Sequence, residues 1–208
     1  MRMMSHRALR LCGMMFIMML SILSGCLFVW EEEEFYPPMS LSPTPEIEMS
    51  RNTVESTSGD MIAFIPQGWT TLGKDHYPSS DIVAIMVDST LTLSAVFSSI
   101  GRLPTTIKNE EETVYELMRY AMERHVQKSG GNVSQIGKGR TLSIGRRIFG
   151  MFEFIGRDGL QTKAVVWRSK AGNHYECALV PLDLTGTTIP NDSVKSQILR
   201  SITTMIMF

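Results

Sequence analysis

The alternation of apolar and polar residues along the chain predicts a β-rich domain. Runs that are apolar throughout, or that alternate between apolar and polar residues, are typical of strands. The run at 82–87 is apolar on both faces, whereas 90–98 alternates cleanly and indicates a half-buried antiparallel strand. The pattern predicts an antiparallel sheet of about six to seven strands, built from the segments 61–65, 82–87, 90–98, 133–138 and 141–144 around Gly139, 147–155, 160–168 and 174–180.

Two segments carry apolar residues at helical spacing instead. The first begins at Thr113, where Glu116 completes a capping box, and ends before the glycines at 130–131. The second follows Pro190, with Asn191 or Asp192 as its cap. Since each helix has a single apolar face, each should cover a sheet, and the fold class is α+β.

The N-terminus is typical of an exported protein. Residues 1–10 are basic, residues 11–23 are apolar, and the run ends in Leu23-Ser24-Gly25-Cys26. This ending resembles the lipobox of bacterial lipoproteins. The resemblance implies that 1–25 is a signal peptide and that Cys26 is lipidated at its thiol, with palmitate as a typical acyl group, and acylated at its new amino group.

An uncleaved membrane anchor is the alternative. Residues 11–30 contain no charged side chain and are long enough to span a bilayer. Both hypotheses place the domain outside the cytoplasmic membrane, because the positive charges stay inside. In a Gram-negative host the lipobox resemblance further implies the periplasmic side of the outer membrane, since Leu27 is not the aspartate used for inner-membrane retention.

The segment after Cys26 predicts a lipid-anchored linker. Residues 26–58 contain four consecutive glutamates at 31–34 and four prolines, and such a stretch cannot bury enough apolar surface to become ordered. The globular domain is therefore expected to span residues 59–208.

The order of elements resembles the PsbP/Mog1-like fold, and most closely its small exported DcrB-type lipoproteins. The resemblance implies an α/β/α sandwich, in which the sheet lies between the two helices. It does not imply a function, because members of one fold serve unrelated roles. It rests on Phe64, Pro66, Gly68 and Trp69, the mid-chain amphipathic helix, the Asp158-Gly159 hairpin, and Ile198, Leu199, Ser201 and Ile202.

Charge and cysteine content exclude some classes of protein. Without residues 1–25 the chain has 17 basic and 21 acidic residues, a net charge of −4, so it offers no electrostatic footprint for nucleic acid. With Cys12 removed and Cys26 lipidated, Cys177 is the single free thiol and no internal disulfide can form. Because Cys177 alternates with Tyr175 and Leu179, we interpret these three residues as the core face of the last strand.

The chemically active residues form no recognisable motif, so we expect no catalytic, metal or cofactor-binding residues. Asp75 and His76, with Asp81 nearby, are the best candidates for a metal or ligand loop, although no second histidine or cysteine has ligand spacing. The remaining candidates are His125 at the edge of the core, a surface pair formed by His174 and Glu176, and scattered surface arginines at positions 140, 146 and 147.

Three hypotheses about function follow. The first is a non-enzymatic binding or accessory lipoprotein of the cell envelope, attached to the membrane through Cys26 and holding a protein partner by a sheet edge or a loop face. The second is a small-ligand or metal-binding module that uses the 75–81 loop. The third, an envelope hydrolase, has the least support, because no nucleophile motif is present.

Overall fold

The computed structural model describes residues 35–101, 110–184 and 188–208. These residues belong to one compact unit, Glu34–Phe208. Cys26, the predicted signal peptide and linker residues 26–34 lie outside the described residues. Within the described ranges, no helix has the length and apolar character needed to cross a membrane.

The described residues form eleven strands and two α-helices. Every predicted strand segment and both predicted helices are present, and 133–144 forms a single strand through Gly139. The first helix begins at Glu110, so the capping box predicted at Thr113 was wrong. In chain order the elements are β1 (Phe35–Ser40), β2 (Met49–Glu55), β3 (Ile62–Pro66), β4 (Trp69–Thr71), β5 (Ile82–Asp88), β6 (Leu93–Ser99), α1 (Glu110–Lys128), β7 (Ser134–Ile144), β8 (Arg147–Ile155), β9 (Gln161–Arg168), β10 (His174–Pro181), α2 (Asp192–Thr204) and β11 (Ile206–Met207).

The strands form two sheets, where we had predicted one sheet of about six to seven strands. The larger sheet has eight strands in the order β1-β7-β8-β9-β10-β6-β5-β4, and the smaller has three in the order β11-β3-β2. All pairings are antiparallel except that of β1 with β7. The four additional strands escaped prediction because β1, β2, β4 and β11 are short or largely exposed and lack a clear alternation.

The prediction of a disordered linker was wrong for residues 35–58, which contribute β1 and β2. Two prolines in β1 are tolerated because this strand lies at the edge of the sheet. Between the two strands, Glu46 forms a bidentate ion pair with Arg200 of α2, at 2.6 and 2.9 Å. The amides of Glu46 and Ile47 also donate to the hydroxyl of Ser201. Long-range polar contacts therefore order this segment together with strand pairing and the packing of apolar side chains such as Val54 in the core.

Each face of the large sheet has its own core. One face packs against α2 and the small sheet, and its core includes Trp167, Leu199 and Ile202. Tyr175, Cys177 and Leu179 lie buried in this core, which confirms the predicted core face of β10. The other face packs against α1. The predicted sandwich therefore gains a second sheet beside α2.

The helix α1 lies close to the large sheet because β8 has a glycine at the contact. An added Cβ at Gly150 would lie 2.5 Å from Cγ of Met118 and 2.9 Å from Cγ1 of Val114. Both of these α1 side chains are buried. The glycine therefore sets the distance between the helix and the strands below it.

Candidate functional site

The position of α1 leaves a cavity at one side of the large sheet. The main strand contacts of α1 are with β7, β8 and β9. The C-terminal half of α1 and strands β5, β6, β8, β9 and β10 enclose a space of about 250 Å³ that is partly open to solvent. We call this space the α1 cavity. Its lining residues are Asp81, Ile82, Val96, Ser98, Arg124, His125, Lys128, Phe154, Thr162, Glu176, Ala178 and Val180.

Strand alternation provides the apolar floor of the α1 cavity. In β10, Cys177 and Leu179 pack into the core on the α2 side, so Ala178 and Val180 lie on the opposite face. Val96 of β6 pairs with Ala178 and extends the same apolar surface. Because this surface is wider than the part that α1 covers, apolar side chains remain accessible in the α1 cavity.

A buried carboxylate lies among these apolar residues. Glu176 is only 2% exposed, and its Oε1 lies 2.5 Å from Nε2 of His125 on α1. The imidazole ring of His125 is held against Phe154, with 4.3 Å between the ring centroids. The residue predicted to edge the core therefore forms the main polar contact of the α1 cavity.

The prediction that His174 and Glu176 form a surface pair was wrong. Both side chains are buried, and Nδ1 of His174 lies 2.8 Å from the carbonyl oxygen of Gly101. The two residues do share a strand face, as their spacing predicted. That face is covered because α1 and the chain around Gly101 pack over this part of the sheet, which strand periodicity cannot reveal.

Ion pairs at the rim of the α1 cavity join α1 to the start of β5. Asp81 pairs with Arg124 and, at 2.8 Å, with Nζ of Lys128. Burial and the nearby Arg124 guanidinium lower the pKa of Lys128, and Glu176 opposes this shift. Lys128 therefore experiences the charges of both Arg124 and Glu176, and the rim and floor of the α1 cavity form one electrostatic cluster.

The structure separates the residues of the predicted 75–81 loop. Asp75 and His76 lie in an exposed single turn of 3₁₀-helix, Lys74–His76, whereas Asp81 belongs to the rim of the α1 cavity. Among the described residues, no group of three or more histidine, cysteine, aspartate or glutamate side chains is placed to hold a metal ion. The loop therefore contributes one charged residue to the α1 cavity and no metal centre within the described ranges.

Three of the other candidates are engaged in the fold, whereas Arg146 is exposed in the turn between β7 and β8. The buried Cys177 thiol has a pKa well above its usual range because of its burial and the nearby Glu176 charge. Arg140 lies over the ring of Tyr36, and Arg147 donates to the carbonyl oxygens of Thr204 and Ile206. We therefore find these three residues engaged in holding the fold together.

A further polar cluster, centred on Asp60, was missed at the sequence level. The carboxylate of Asp60 accepts hydrogen bonds from Tyr175 at 2.6 Å, from Asn173 at 2.9 Å and from Ser169. Burial alone would raise the pKa of Asp60, but these donors and Ser58 outweigh it and hold the pKa well below its usual range. The cluster links the β2–β3 turn to the β9–β10 turn, and because its members are over 100 residues apart, no local pattern identifies it.

Comparison with known proteins supports the fold and does not bear on the site. No family model matches the chain, and no curated protein matches it. The solution structure of cyanobacterial PsbP (CyanoP) from Synechocystis sp. PCC 6803 resembles it with a TM-score of 0.50 at 16% identity. The match covers 76% of this chain and 92% of that chain. The described domain thus has a PsbP-like fold, and an identity this low carries no information about function.

Proposed function

We propose that this chain is an exported lipoprotein whose PsbP-like domain binds a partner or ligand without catalysing a reaction. In this proposal Cys26 attaches the chain to the membrane, and the α1 cavity is the binding site. The partner would be another component of the cell envelope.

The apolar, partly open α1 cavity is the observation that carries this proposal. Binding sites are typically concave, lined mostly by apolar side chains, and supplied with a few polar groups that orient the ligand. The α1 cavity is concave, and its accessible surface is mostly apolar, although seven of its twelve lining residues are polar or charged. Val96, Ala178 and Val180 form its floor, and Glu176 and His125 supply polar groups. At about 250 Å³ it fits a single side chain or a small molecule better than a large cofactor.

The arrangement of polar groups favours binding over catalysis. The hydroxyls that line the α1 cavity are those of Ser98 and Thr162. Within the described residues, neither hydroxyl donates a hydrogen bond to His125, whose Nε2 is already engaged by Glu176. A serine or threonine nucleophile needs a base within hydrogen-bonding distance, so this geometry lacks the activated nucleophile of a hydrolase.

Site-specific photo-cross-linking in the native envelope tests the binding site. A benzoylphenylalanine at Lys128, on the rim of the α1 cavity, should give a discrete cross-linked product. The same probe at Tyr120, which is exposed on α1 and does not line the α1 cavity, is the matched control. A Val180→Trp substitution, which fills the α1 cavity from its floor, should abolish the Lys128 product. Equal products at both positions, or a product that survives Val180→Trp, would contradict the proposed site.

Metabolic labelling with palmitate tests the proposed anchor. The wild-type chain should incorporate label, and Cys26→Ala should not, because the thiol is the point of acylation. The mass of the membrane-bound protein separates the two anchoring hypotheses, since an uncleaved anchor retains residues 1–25. In a Gram-negative host, membrane fractionation should find the labelled chain in the outer membrane, in keeping with Leu27 after the cysteine.

A further inference from the structure

The carboxylate of Glu176 has one oxygen engaged and one available. Its Oε1 contacts His125, whereas its Oε2 has no hydrogen-bond partner among the described residues. Glu176 is 98% buried and lines the α1 cavity, so water reaches it chiefly through that space. Oε2 is not among the fully enclosed polar atoms without a partner in the described residues, so it keeps contact with water in the α1 cavity, and a ligand donor would take the place of that water. Oε2 is therefore a point at which a ligand that supplies a donor would gain affinity.

The charges around the α1 cavity determine what kind of donor fits. Arg124 and Lys128 project from α1 on the rim, and Asp81 is paired with both of them. A ligand ammonium that reached Glu176 would have to pass these two cations. A neutral O–H or N–H gains the charge-assisted hydrogen bond without that repulsion. The electrostatics therefore favour a neutral donor over a cation.

The volume and lining of the α1 cavity determine the size and polarity of the rest of the ligand. A cavity of about 150 Å³ in another protein holds one benzene ring. The α1 cavity, at about 250 Å³, can therefore hold one substituted ring or one branched aliphatic group. Its apolar lining, which favours an apolar occupant, consists of Ile82, Val96, Phe154, Ala178 and Val180.

We propose that the α1 cavity recognises a small apolar group that carries a neutral hydrogen-bond donor, which Oε2 of Glu176 accepts. A phenol-like molecule has this chemistry, and so does a tyrosine side chain of a partner. This inference rests on the proposed function, because it assigns the ligand chemistry of the same binding site.

The test uses the full chain in lipid nanodiscs and four probes of similar shape. p-Cresol carries a neutral donor, toluene carries none, 4-methylanisole carries an acceptor only, and benzylamine carries an ammonium. Binding is followed by the methyl NMR signals of Ile82, Val96 and Val180 against the free aqueous concentration of each probe. We expect p-cresol to bind about 10- to 100-fold more tightly than toluene, the range typical of a hydrogen bond to a charged group. 4-Methylanisole and benzylamine should not bind more tightly than toluene in this way.

Two substitutions assign the effect to Glu176. Glu176→Met removes the acceptor at similar volume, and the advantage of p-cresol over toluene should disappear. Glu176→Gln retains a neutral acceptor, so part of the advantage should remain. N-acetyl-tyrosinamide, compared with N-acetyl-phenylalaninamide, distinguishes a tyrosine side chain from a free phenol as the ligand. Even if Glu176→Met failed to fold, the comparison of probes on the wild-type chain would decide the matter.

The outcomes separate this inference from the proposed function. If p-cresol and toluene bind the α1 cavity equally well, the cavity is a binding site but the inferred donor is wrong. Preference for benzylamine would also overturn the inference. If none of the probes shifts the three methyl signals and the Lys128 cross-link is absent too, the α1 cavity is not the binding site and both proposals fail.

Discussion

Substitution of Gly150 by alanine tests how α1 is held over the large sheet. The new methyl carbon would lie 2.5 Å from Cγ and 2.8 Å from Sδ of Met118, and 2.9 Å from Cγ1 of Val114. All three distances are well below ordinary van der Waals contact, about 3.5–4.0 Å between carbon atoms. Met118 and Val114 are 2% and 1% exposed, so neither can move into solvent. We therefore expect α1 to shift away from β8.

The expected cost follows from the packing. Overfilling a well-packed core typically costs about 1–3 kcal/mol. We expect the upper part of this range, because Val114 is β-branched and has a restricted side-chain rotamer within a helix. For a domain of this size, each 1 kcal/mol lowers Tm by about 2–4 °C, so Tm should fall by several degrees.

Thermal and urea denaturation, followed by circular dichroism, measure this effect. The control is Gly73→Ala, because Gly73 has φ −65° and an added Cβ would lie 3.9 Å from the nearest side-chain atom, in His76. This control should leave Tm unchanged or slightly higher, since the unfolded chain loses entropy. In a Met118→Ala background, Gly150→Ala should cost less, because Met118 makes two of the three close contacts. An unchanged Tm in Gly150→Ala, or an equal cost in both backgrounds, would refute this account.

Three other predictions concern the Asp60 cluster, the domain boundary and Cys177. Asp60→Asn should destabilise the fold most at neutral pH. Because the folded-state pKa of Asp60 is depressed, its carboxylate stabilises the fold above the unfolded-state pKa of about 3.9, and this stabilisation is lost as the pH falls toward the folded-state pKa. A loss of unfolding free energy in Asp60→Asn that is equal at pH 7 and pH 3 would contradict this. Residues 35–208 should unfold cooperatively. Residues 59–208, which lack β1 and β2, should be less stable in urea denaturation. Equal urea midpoints for the two chains would restore the domain boundary predicted at residue 59. Cys177 should react with iodoacetamide only after denaturation, because it is fully buried and its thiol pKa is raised; rapid labelling of the native protein would contradict this.

The sequence by itself determined the elements that bury a regular apolar face. The helices near 113–128 and after 190, and the strands from 147 to 180, follow from side-chain periods of 3.6 and 2, which are local properties. The same alternation correctly placed Cys177 in the core. The sequence also led to the export hypothesis, because the basic and apolar residues that end at Cys26 are adjacent in the chain.

Only the tertiary structure decided which of these elements meet. β1 is ordered by pairing with the distant β7, β2 by pairing with β3, and the segment between them by Arg200 and Ser201, whereas the composition of these residues indicated disorder. The α1 cavity likewise depends on the position of α1 across the sheet, which brings His125 to Glu176, 51 residues away. No sequence motif joins the His125–Glu176 pair to the apolar floor of the α1 cavity. They become a site because packing, which acts between residues far apart in the chain, leaves that part of the sheet only partly covered.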